Sequence, residues 1–139
     1  MNTLTFYRNP VNKIGAPIFS DLRIYDEQKH LQGALLNVVY KGNVIGGVEI
    51  KAFVCFFFEG ERCINETTAW LSFAKPLPEV KKILTQFYPG IQPNTKMAFL
   101  TLKWVDRNIK MQEALLKDWW EEQRSQYMPK PQIDIDFTK

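Results

Sequence analysis

The chain has 139 residues, a formal net charge of +3, 45% hydrophobic residues and 14% aromatic residues. A chain of this length and composition is expected to form one domain around one core, which excludes a disordered protein. Its longest apolar run, Ala52 to Phe58, is far shorter than the roughly 20 residues of a membrane helix. No signal-peptide pattern opens the sequence, so we expect a cytoplasmic protein without a membrane partner. The mildly basic charge favours an anionic partner without identifying one.

The first part of the sequence predicts two strands separated by a loop. Residues Thr3 to Tyr7 alternate weakly and predict a first strand or an ordered arm, which ends before Pro10 because proline donates no backbone hydrogen bond. Ile18 to Tyr25 alternates in the same way and predicts a second strand. The polar stretch Asp26 to Gln32 contains His30, the only histidine of the chain, and we expect that side chain to be exposed in a solvent loop.

Two β-rich runs, Gly33 to Tyr40 and Val44 to Phe58, predict a β-hairpin. They are joined by Lys41-Gly42-Asn43, and glycine supplies the positive φ that tight hairpin turns require. Gly46-Gly47 interrupts the second run near its start. The missing side chains at that point permit a bulge or a sharp bend of the kind that barrels use at their corners.

Strict alternation along the second run divides its side chains between two faces. The predicted core face is uniformly apolar and consists of Val48, Ile50, Ala52, Val54, Phe56 and Phe58. The other face combines charged and aromatic side chains, namely Glu49, Lys51, Phe53, Cys55 and Phe57. This mixed face is either an exposed binding surface or a second small core beneath a covering helix.

The stretch from Thr67 to Val105 predicts a strand, a helix and another strand. Thr68 to Phe73 is rich in aromatic residues and predicts the first of these strands. Leu77 to Phe87 carries apolar residues at the i, i+3, i+4 and i+7 spacing of an amphipathic helix, with a proline in its first turn. Met97 to Trp104 predicts the last strand, with Ala98, Leu100, Leu102 and Trp104 on one face and Met97, Phe99, Thr101 and Lys103 on the other.

The end of the sequence predicts a long helix followed by a tail. Asp106 is suited to the N-cap of a helix that runs to about Gln126. Its apolar stripe includes Trp119 and Trp120, which pack either on the sheet of this protein or on a partner. Residues 128–139 contain two prolines and alternate apolar and acidic residues near their end. They predict an extended tail or an edge strand after one globular domain of residues 1–127.

The stretch from Thr67 to Val105 resembles the later half of the oligonucleotide-binding (OB) barrel of bacterial and phage single-stranded DNA-binding proteins. The resemblance is carried by Trp70-Leu71-Ser72-Phe73-Ala74-Lys75, the amphipathic helix, and Ala98-Phe99-Leu100-Thr101-Leu102-Lys103-Trp104. Together with the glycine-bent hairpin, it implies a mainly β, α+β fold. We expect an OB-like open barrel or a strongly bent antiparallel sheet, with one helix inside the sheet topology and one C-terminal amphipathic helix.

The same resemblance implies roles for individual residues. Phe73 and Trp104 would stack on bases, while Lys75 and Lys103 would contact the nucleic-acid backbone. Alternation along the last strand, however, gives Trp104 the parity of the predicted core. Phe99 and Lys103, on the opposite face, are therefore alternative candidates.

The first functional hypothesis is non-catalytic binding of single-stranded nucleic acid, either DNA or RNA. Such binding requires basic groups that contact phosphates beside aromatic rings on which bases stack. The candidate residues lie on the mixed face and on neighbouring strands: Arg23, Tyr25, Lys51, Phe53, Phe57, Phe73, Lys75, Phe99, Lys103 and Trp104.

The alternative hypothesis is a small protein-binding inhibitor or immunity-type protein that acts through its C-terminal helix. Tryptophan is a common anchor of protein interfaces, and Trp119 and Trp120 are adjacent in that helix. The partner would be another protein or a second copy of the chain. In the OB-barrel family a late phenylalanine near the C-terminus recruits partner proteins, and the resemblance therefore adds Phe137 as a candidate partner-binding residue.

The sequence contains no catalytic or metal-binding pattern, so we predict neither enzyme activity nor a cofactor. The only histidine has no cysteine at a metal-ligand spacing. Cys55 and Cys63 flank a predicted hairpin tip and are expected to be reduced thiols. Gly42, Gly46 and Gly47 span a hairpin rather than a strand-to-helix turn, which excludes the dinucleotide-binding fingerprint.

Overall fold

The computed structural model describes residues 2–7 and 10–127. Within this part of the chain there are five strands, a short 3-10 helix and three α-helices. In chain order they are β1 (Thr3–Phe6), the 3-10 helix (Pro10–Gly15), β2 (Ile18–Ile24), β3 (Leu35–Tyr40), β4 (Asn43–Phe57), α1 (Glu66–Phe73), α2 (Leu77–Phe87), β5 (Lys96–Arg107) and α3 (Ile109–Tyr127). The predicted tail of residues 128–139, with Phe137, lies outside the described residues.

The strands form one curled sheet in the order β1-β3-β4-β5-β2. β1 runs parallel to β3, and the other three pairs are antiparallel. The two outer strands meet across the open side of the sheet, where Arg23 Nη2 donates to the Thr5 carbonyl oxygen at 2.5 Å. The rings of Phe6 and Phe19 also lie 5.9 Å apart at this junction, which we call the seam. The described chain is an open half-barrel with more strand than helix, and this confirms the predicted fold class.

The hairpin predicted between Gly33 and Phe58 is confirmed as β3 and β4. Its turn lies at Lys41 and Gly42, both of which have positive φ. Gly46 has φ +146°, and a β-carbon at that position would lie 2.2 Å from the Asp106 carbonyl oxygen. Glycine is therefore required where β4 bends against β5.

A β-bulge in β4 moves side chains between the two faces of the sheet. Ile50 and Ala52 pair with consecutive residues of β5, so Lys51 is an extra residue in this strand. The alternation predicted for the whole strand is wrong beyond Ile50. Ala52 and Val54, predicted to lie in the core, are exposed. Phe53, predicted on the mixed face, packs against the core instead.

Two hydrophobic clusters lie on opposite faces of the sheet. The first fills the inside of the half-barrel and includes Leu4, Phe6, Phe19, Leu36, Val38, Val48, Ile50, Leu100 and Leu102. The second lies between the sheet and helices α1 and α2 and includes Leu22, Phe58, Ile64, Ala69, Val80, Leu84 and Met97, with Phe56, Phe73 and Phe99 packed against it. A second core beneath helices therefore exists. It takes Phe56 of β4 and Phe58, the residue after β4, and not the predicted mixed face of that strand.

Residues 68–73, predicted as a strand, form most of α1. A capping box starts this helix: Asn65 Oδ1 accepts a hydrogen bond from the Thr68 backbone N–H at 3.0 Å, and Thr68 Oγ1 accepts one from the Asn65 backbone N–H at 2.9 Å. Ala74 ends the helix in the left-handed conformation. The strand prediction is wrong because β propensity depends on packing context and yields where local hydrogen bonds start a helix.

The next two elements follow the prediction, and β5 is longer than expected. α2 spans the predicted range, with Val80 and Leu84 buried. β5 continues to Arg107. Asp106 lies within this strand and pairs with Gly47, so its predicted role as the N-cap of the last helix is wrong. The close pairing with β4 holds this segment extended.

α3 packs on the 3-10 helix and contributes Leu115 to the first hydrophobic cluster. Trp119 is half-buried and Trp120 is 58% exposed, and their ring centres are 5.0 Å apart in an edge-to-face arrangement. The tryptophan pair thus has one ring against the protein and one toward solvent. None of the helices within the described residues has the length and apolar character needed to cross a membrane.

Candidate functional site

A cavity of about 220 Å³ lies at the seam, and we call it the seam pocket. The curl of the sheet brings β1 beside β2, α1 packs along β2, and α2 packs on α1. Side chains from all of these elements and from the 3-10 helix therefore meet here. The pocket is lined by Thr5, Phe6, Tyr7, Lys13, Asp21, Leu22, Arg23, Ser72, Phe73, Leu84, Phe87 and Tyr88.

Three charged side chains form a buried cluster in the seam pocket. Asp21 accepts hydrogen bonds from Lys13 Nζ, at 3.1 Å, and from Arg23 Nε. Lys13 Nζ also donates to the carbonyl oxygens of Ser20 at 2.9 Å and Ser72 at 2.6 Å, which links β2 to α1. Two cations and one carboxylate leave a net charge of +1 in this cluster.

The cluster shifts the pKa of each of its members. Burial raises the pKa of a carboxyl, but Arg23 and Lys13 outweigh it and hold the pKa of Asp21 below its ordinary value. Burial lowers the pKa of Lys13, and the pairing with Asp21 opposes it only in part. Burial also disfavours the charged form of Arg23, yet Asp21 raises the pKa of that guanidinium above its ordinary value. Asp21 is therefore ionised at neutral pH.

Aromatic rings form the walls of the seam pocket. The Arg23 guanidinium lies 4.6 Å from the centre of the Phe6 ring, and Lys13 Nζ lies 5.8 Å from the centre of the Phe73 ring. Phe87 also lines the pocket and is 49% exposed. Burial raises the pKa of Tyr88, so its phenol stays protonated at neutral pH. Flat apolar walls with cationic donors suit a planar ligand that carries hydrogen-bond acceptors.

A wider groove of about 600 Å³ adjoins the seam pocket and shares Arg23 and Tyr88 with it. We call it the loop groove, because it follows the end of β2 and the turn after it. Tyr25 lines this groove and stacks on Phe53, with ring centres 5.8 Å apart, and Lys96 Nζ lies 5.7 Å from the Tyr25 ring. Charged side chains of both signs line the groove: Arg23, Asp26, Glu27 and Lys29.

His30 lines the loop groove but is only 2% exposed, so the prediction of a solvent-exposed histidine is wrong. The turn folds back on itself: the His30 N–H donates to the Asp26 carbonyl oxygen at 2.8 Å, and the Asp26 N–H donates to His30 Nδ1 at 3.1 Å. Burial, together with nearby Lys29, lowers the pKa of His30. The imidazole is therefore neutral at pH 7 and acts as an acceptor in this turn.

Four of the residues predicted to bind nucleic acid lie in this region. Arg23 and Phe73 line the seam pocket, and Tyr25 and Phe53 form the stacked pair beside the loop groove. The bulge at Lys51 divides the mixed face, so it is not one continuous surface. The other candidates line neither cavity: Lys51, Phe57, Lys75, Phe99, Lys103 and Trp104.

Two of these candidates are packed inside the protein, which corrects their predicted role in base stacking. Trp104 is buried in the first hydrophobic cluster, and its Nε1 donates to the Ile14 carbonyl oxygen at 2.7 Å. The prediction that Trp104 lies on the same, inward face of the strand as Leu100 and Leu102 is confirmed. Phe99 packs against the second cluster, between the sheet and the helices.

The remaining four candidates keep some access to solvent. Lys51, Phe57 and Lys103 are exposed, and Lys75 is half-exposed. Lys51 and Lys75 each pair with a nearby glutamate, at 3.3 Å and 3.8 Å. Such solvent-accessible ion pairs are weak. These lysines therefore stay candidates for phosphate contacts outside the two cavities.

Sequence reasoning missed Lys13, Asp21 and Ser72 as site residues. Lys13 lies in a stretch predicted to be a loop, and Ser72 lies in one predicted to be a strand. Asp21 could have been predicted as a site residue, because it lies on the same face of β2 as Phe19 and Arg23. A carboxylate on an inward-facing strand position requires a buried cation. The identity of that cation depends on tertiary packing.

Cys55 and Cys63 are free thiols, and their backbones pair with different parts of the protein. Cys55 lies opposite Ala98 of β5, whereas the backbone of Cys63 forms an isolated β-bridge with that of Phe57. Burial raises the pKa of Cys55 above its ordinary value, which makes this thiol less reactive. The described part of the chain contains no group of three or more potential metal ligands.

Comparisons with known proteins support the fold and leave the family open. No family model matches the chain, and neither does any curated protein. Among solved structures, the chain is similar to the crystal structure of protein EF3133 from Enterococcus faecalis, described under the family model DUF984. The TM-score is 0.52 at 9% sequence identity, over 78% of this chain and 82% of the other. At this level of identity the similarity shows a shared fold alone.

Proposed function

We propose that this protein binds single-stranded nucleic acid at the seam pocket and the loop groove. The observation that carries the proposal is that Arg23 and Phe73, predicted from distant parts of the sequence as nucleic-acid contacts, line the same pocket. Tyr25 and Phe53 extend the aromatic surface along the adjoining groove. A strand laid from the groove to the pocket would meet rings and cations in succession, as single-strand binding requires.

The size of the site favours a single strand over a duplex. A cavity of about 220 Å³ accommodates one flat ring system. A base in a duplex is stacked and paired, so it must leave the helix before it can enter. A base of a single strand can pass the exposed Phe87 ring and lie against Phe73, and each stacked base contributes about 1 to 3 kcal/mol. Duplex DNA should therefore bind much more weakly.

Charge contributes less to this site than stacking does. Lys29 and Lys96 lie at the loop groove, but Asp26 and Glu27 oppose them. The whole chain carries a net charge of only +3. We expect about two to four phosphate contacts, which corresponds to a slope of about −1.4 to −2.8 for the logarithm of the binding constant against the logarithm of salt concentration.

Fluorescence anisotropy of a labelled single-stranded oligonucleotide, at two salt concentrations and with duplex competitor, tests the proposal. Phe87→Ala removes the exposed ring of the pocket and should weaken binding roughly 5- to 150-fold, the equivalent of one lost stacking contact. Phe57→Ala is the matched control, because Phe57 is exposed and lines neither cavity. Loss of binding in the control alone would move the site to the surface around Phe57, outside the two cavities. No binding at low salt would refute the proposal.

An exposed apolar pair on α3 supports a second candidate function, protein binding. Trp120 and Leu116 lie one helical turn apart, and both are exposed. Trp119 Nε1 is buried and has no hydrogen-bond partner among the described residues. In this second proposal another protein chain covers α3. The simplest such partner is a second copy of this protein. Sedimentation of the wild type and Trp120→Ala over a range of concentrations tests that case, which predicts a dimer that the substitution weakens.

A further inference from the structure

The hydroxyl of Ser72 is a polar group of the seam pocket that the protein does not satisfy. Ser72 is 1% exposed and lines the pocket. Across residues 2–7 and 10–127, no group forms a hydrogen bond with its Oγ. A buried hydroxyl without a partner is costly and uncommon in folded proteins. We infer that this hydroxyl forms its hydrogen bond with a ligand.

The cations beside Ser72 determine what kind of ligand atom fits. Lys13 Nζ already donates to three oxygen atoms of the protein. Arg23 uses Nε on Asp21 and Nη2 on the Thr5 carbonyl oxygen, and neither bond involves Nη1. The Asp21 carboxylate accepts from both cations. The Arg23 guanidinium can only donate and the Ser72 hydroxyl can donate, so a ligand atom that contacts both of them is an acceptor.

We propose that the seam pocket takes one unstacked nucleobase that carries a ring carbonyl, whose oxygen accepts hydrogen bonds from Arg23 and Ser72 Oγ. This inference rests on the proposed function and adds the class of base to it. The rings of Phe6, Phe73 and Phe87 supply flat apolar surfaces against which the base lies. Thymine, uracil, cytosine and guanine carry such a carbonyl, whose two lone pairs can accept both bonds, whereas the acceptors of adenine are ring nitrogens with one lone pair each.

A phosphate group suits this pocket less well than a neutral carbonyl. Asp21 compensates one of the two cations, and much of the remaining lining is apolar. The single negative charge of a backbone phosphodiester matches the net charge of the cluster, but the group would lose its hydration against apolar walls and cannot lie flat on the rings as a base does. A carbonyl on a flat ring needs only the hydrogen bonds that Arg23 and Ser72 can give.

Anisotropy titrations of the protein into labelled strands of equal length test the class of base. Three strands carry thymine, cytosine or adenine, and a fourth carries a non-polar isostere of thymine in which fluorine replaces the carbonyl oxygens. The isostere keeps the shape of thymine but lacks strong acceptors. We expect the thymine and cytosine strands to bind about 10- to 100-fold more tightly than the isostere strand, as the loss of hydrogen bonds to a charged donor implies. They should also bind more tightly than the adenine strand, because each ring nitrogen of adenine has one lone pair and cannot accept from Arg23 and Ser72 together.

Ser72→Ala separates a role in binding from a role in folding. Because Ser72 Oγ is buried and has no partner in the described structure, its removal should leave the melting temperature unchanged or raise it. It should weaken the thymine strand about tenfold and leave the isostere strand unaffected. Ser20→Ala, a matched control on β2 that lines neither cavity, should change none of these values.

Four outcomes would overturn all or part of these proposals. Equal wild-type affinity for the thymine and isostere strands would overturn the class of base, whatever the variants do. Unchanged thymine affinity in a folded Ser72→Ala variant would remove Ser72 from the site. Tight binding of every strand without preference would overturn this inference but leave single-strand binding intact, whereas no binding of any strand would refute both.

Discussion

Asp21 is buried between two cations that depend on it. Without its carboxylate, Lys13 and Arg23 would be uncompensated buried charges, and removal of one partner from a buried pair costs about 3 to 5 kcal/mol. We expect Asp21→Asn to lower the free energy of unfolding by about this amount in urea denaturation. Asp118→Asn, which removes the exposed carboxylate that pairs with Lys41, should cost less than about 1 kcal/mol. Equally small losses in the two variants would contradict the buried cluster.

The same carboxylate determines how acid affects stability. Burial acts to raise the pKa of Asp21, but Arg23 and Lys13 hold it below its ordinary value. This contribution to the free energy of unfolding is therefore fully present above about pH 4 and is lost as pH falls through the lower folded-state pKa. We expect the wild type to lose stability below about pH 4 more steeply than Asp21→Asn does. Urea denaturation across the acidic range measures this, and parallel curves would refute it.

Among the elements, β4 and β5 pair closely because Gly46 has no side chain. An alanine there would place its β-carbon 2.2 Å from the Asp106 carbonyl oxygen and 2.9 Å from the Trp104 ring. Backbone strain of about 1 to 3 kcal/mol adds to overpacking of about 1 to 3 kcal/mol. We expect Gly46→Ala to lower the free energy of unfolding by roughly 2 to 6 kcal/mol, measured by urea denaturation.

Gly60→Ala is the control for that substitution. Gly60 also has positive φ, +95°, but no atom of the described residues, its two chain neighbours aside, lies within 4 Å of the position of its β-carbon. It should therefore show backbone strain alone, about 1 to 2 kcal/mol. A loss in Gly46→Ala no larger than in Gly60→Ala would mean that the two strands do not approach each other this closely.

The elements that were predicted correctly have strong local signals. The turn at Lys41-Gly42 fixes the hairpin, and the apolar spacing over residues 77–87 fixes α2. The extra residue at Lys51 has no such signal, because a bulge depends on how β4 pairs with β5. The start of α1 did have one, since Asn65 and Thr68 have capping-box spacing. That signal was outweighed in the prediction by aromatic residues typical of strands.

For the whole molecule, the candidate site exists because the sheet curls. Arg23 and Phe73 could be predicted as single residues of suitable chemistry. Their meeting in one pocket requires β1 to close against β2 and α1 to pack along β2, and no local pattern specifies either arrangement. Lys13 and Ser72 come together through the same packing. The kinds of residue at the site were therefore predictable from the sequence, whereas the pocket itself was not.

Photo-crosslinking tests most directly the central claim that single-stranded nucleic acid binds at the seam pocket. A single-stranded oligonucleotide with one iodouracil is irradiated with the protein, and mass spectrometry locates the crosslinked residue. Iodouracil reacts with aromatic side chains that lie against it. We expect crosslinks at Phe73, Phe87 or Tyr88, which unlabelled single strand should suppress and duplex should not. Crosslinks confined to Phe57 or Trp120, outside the pocket, would contradict the claim.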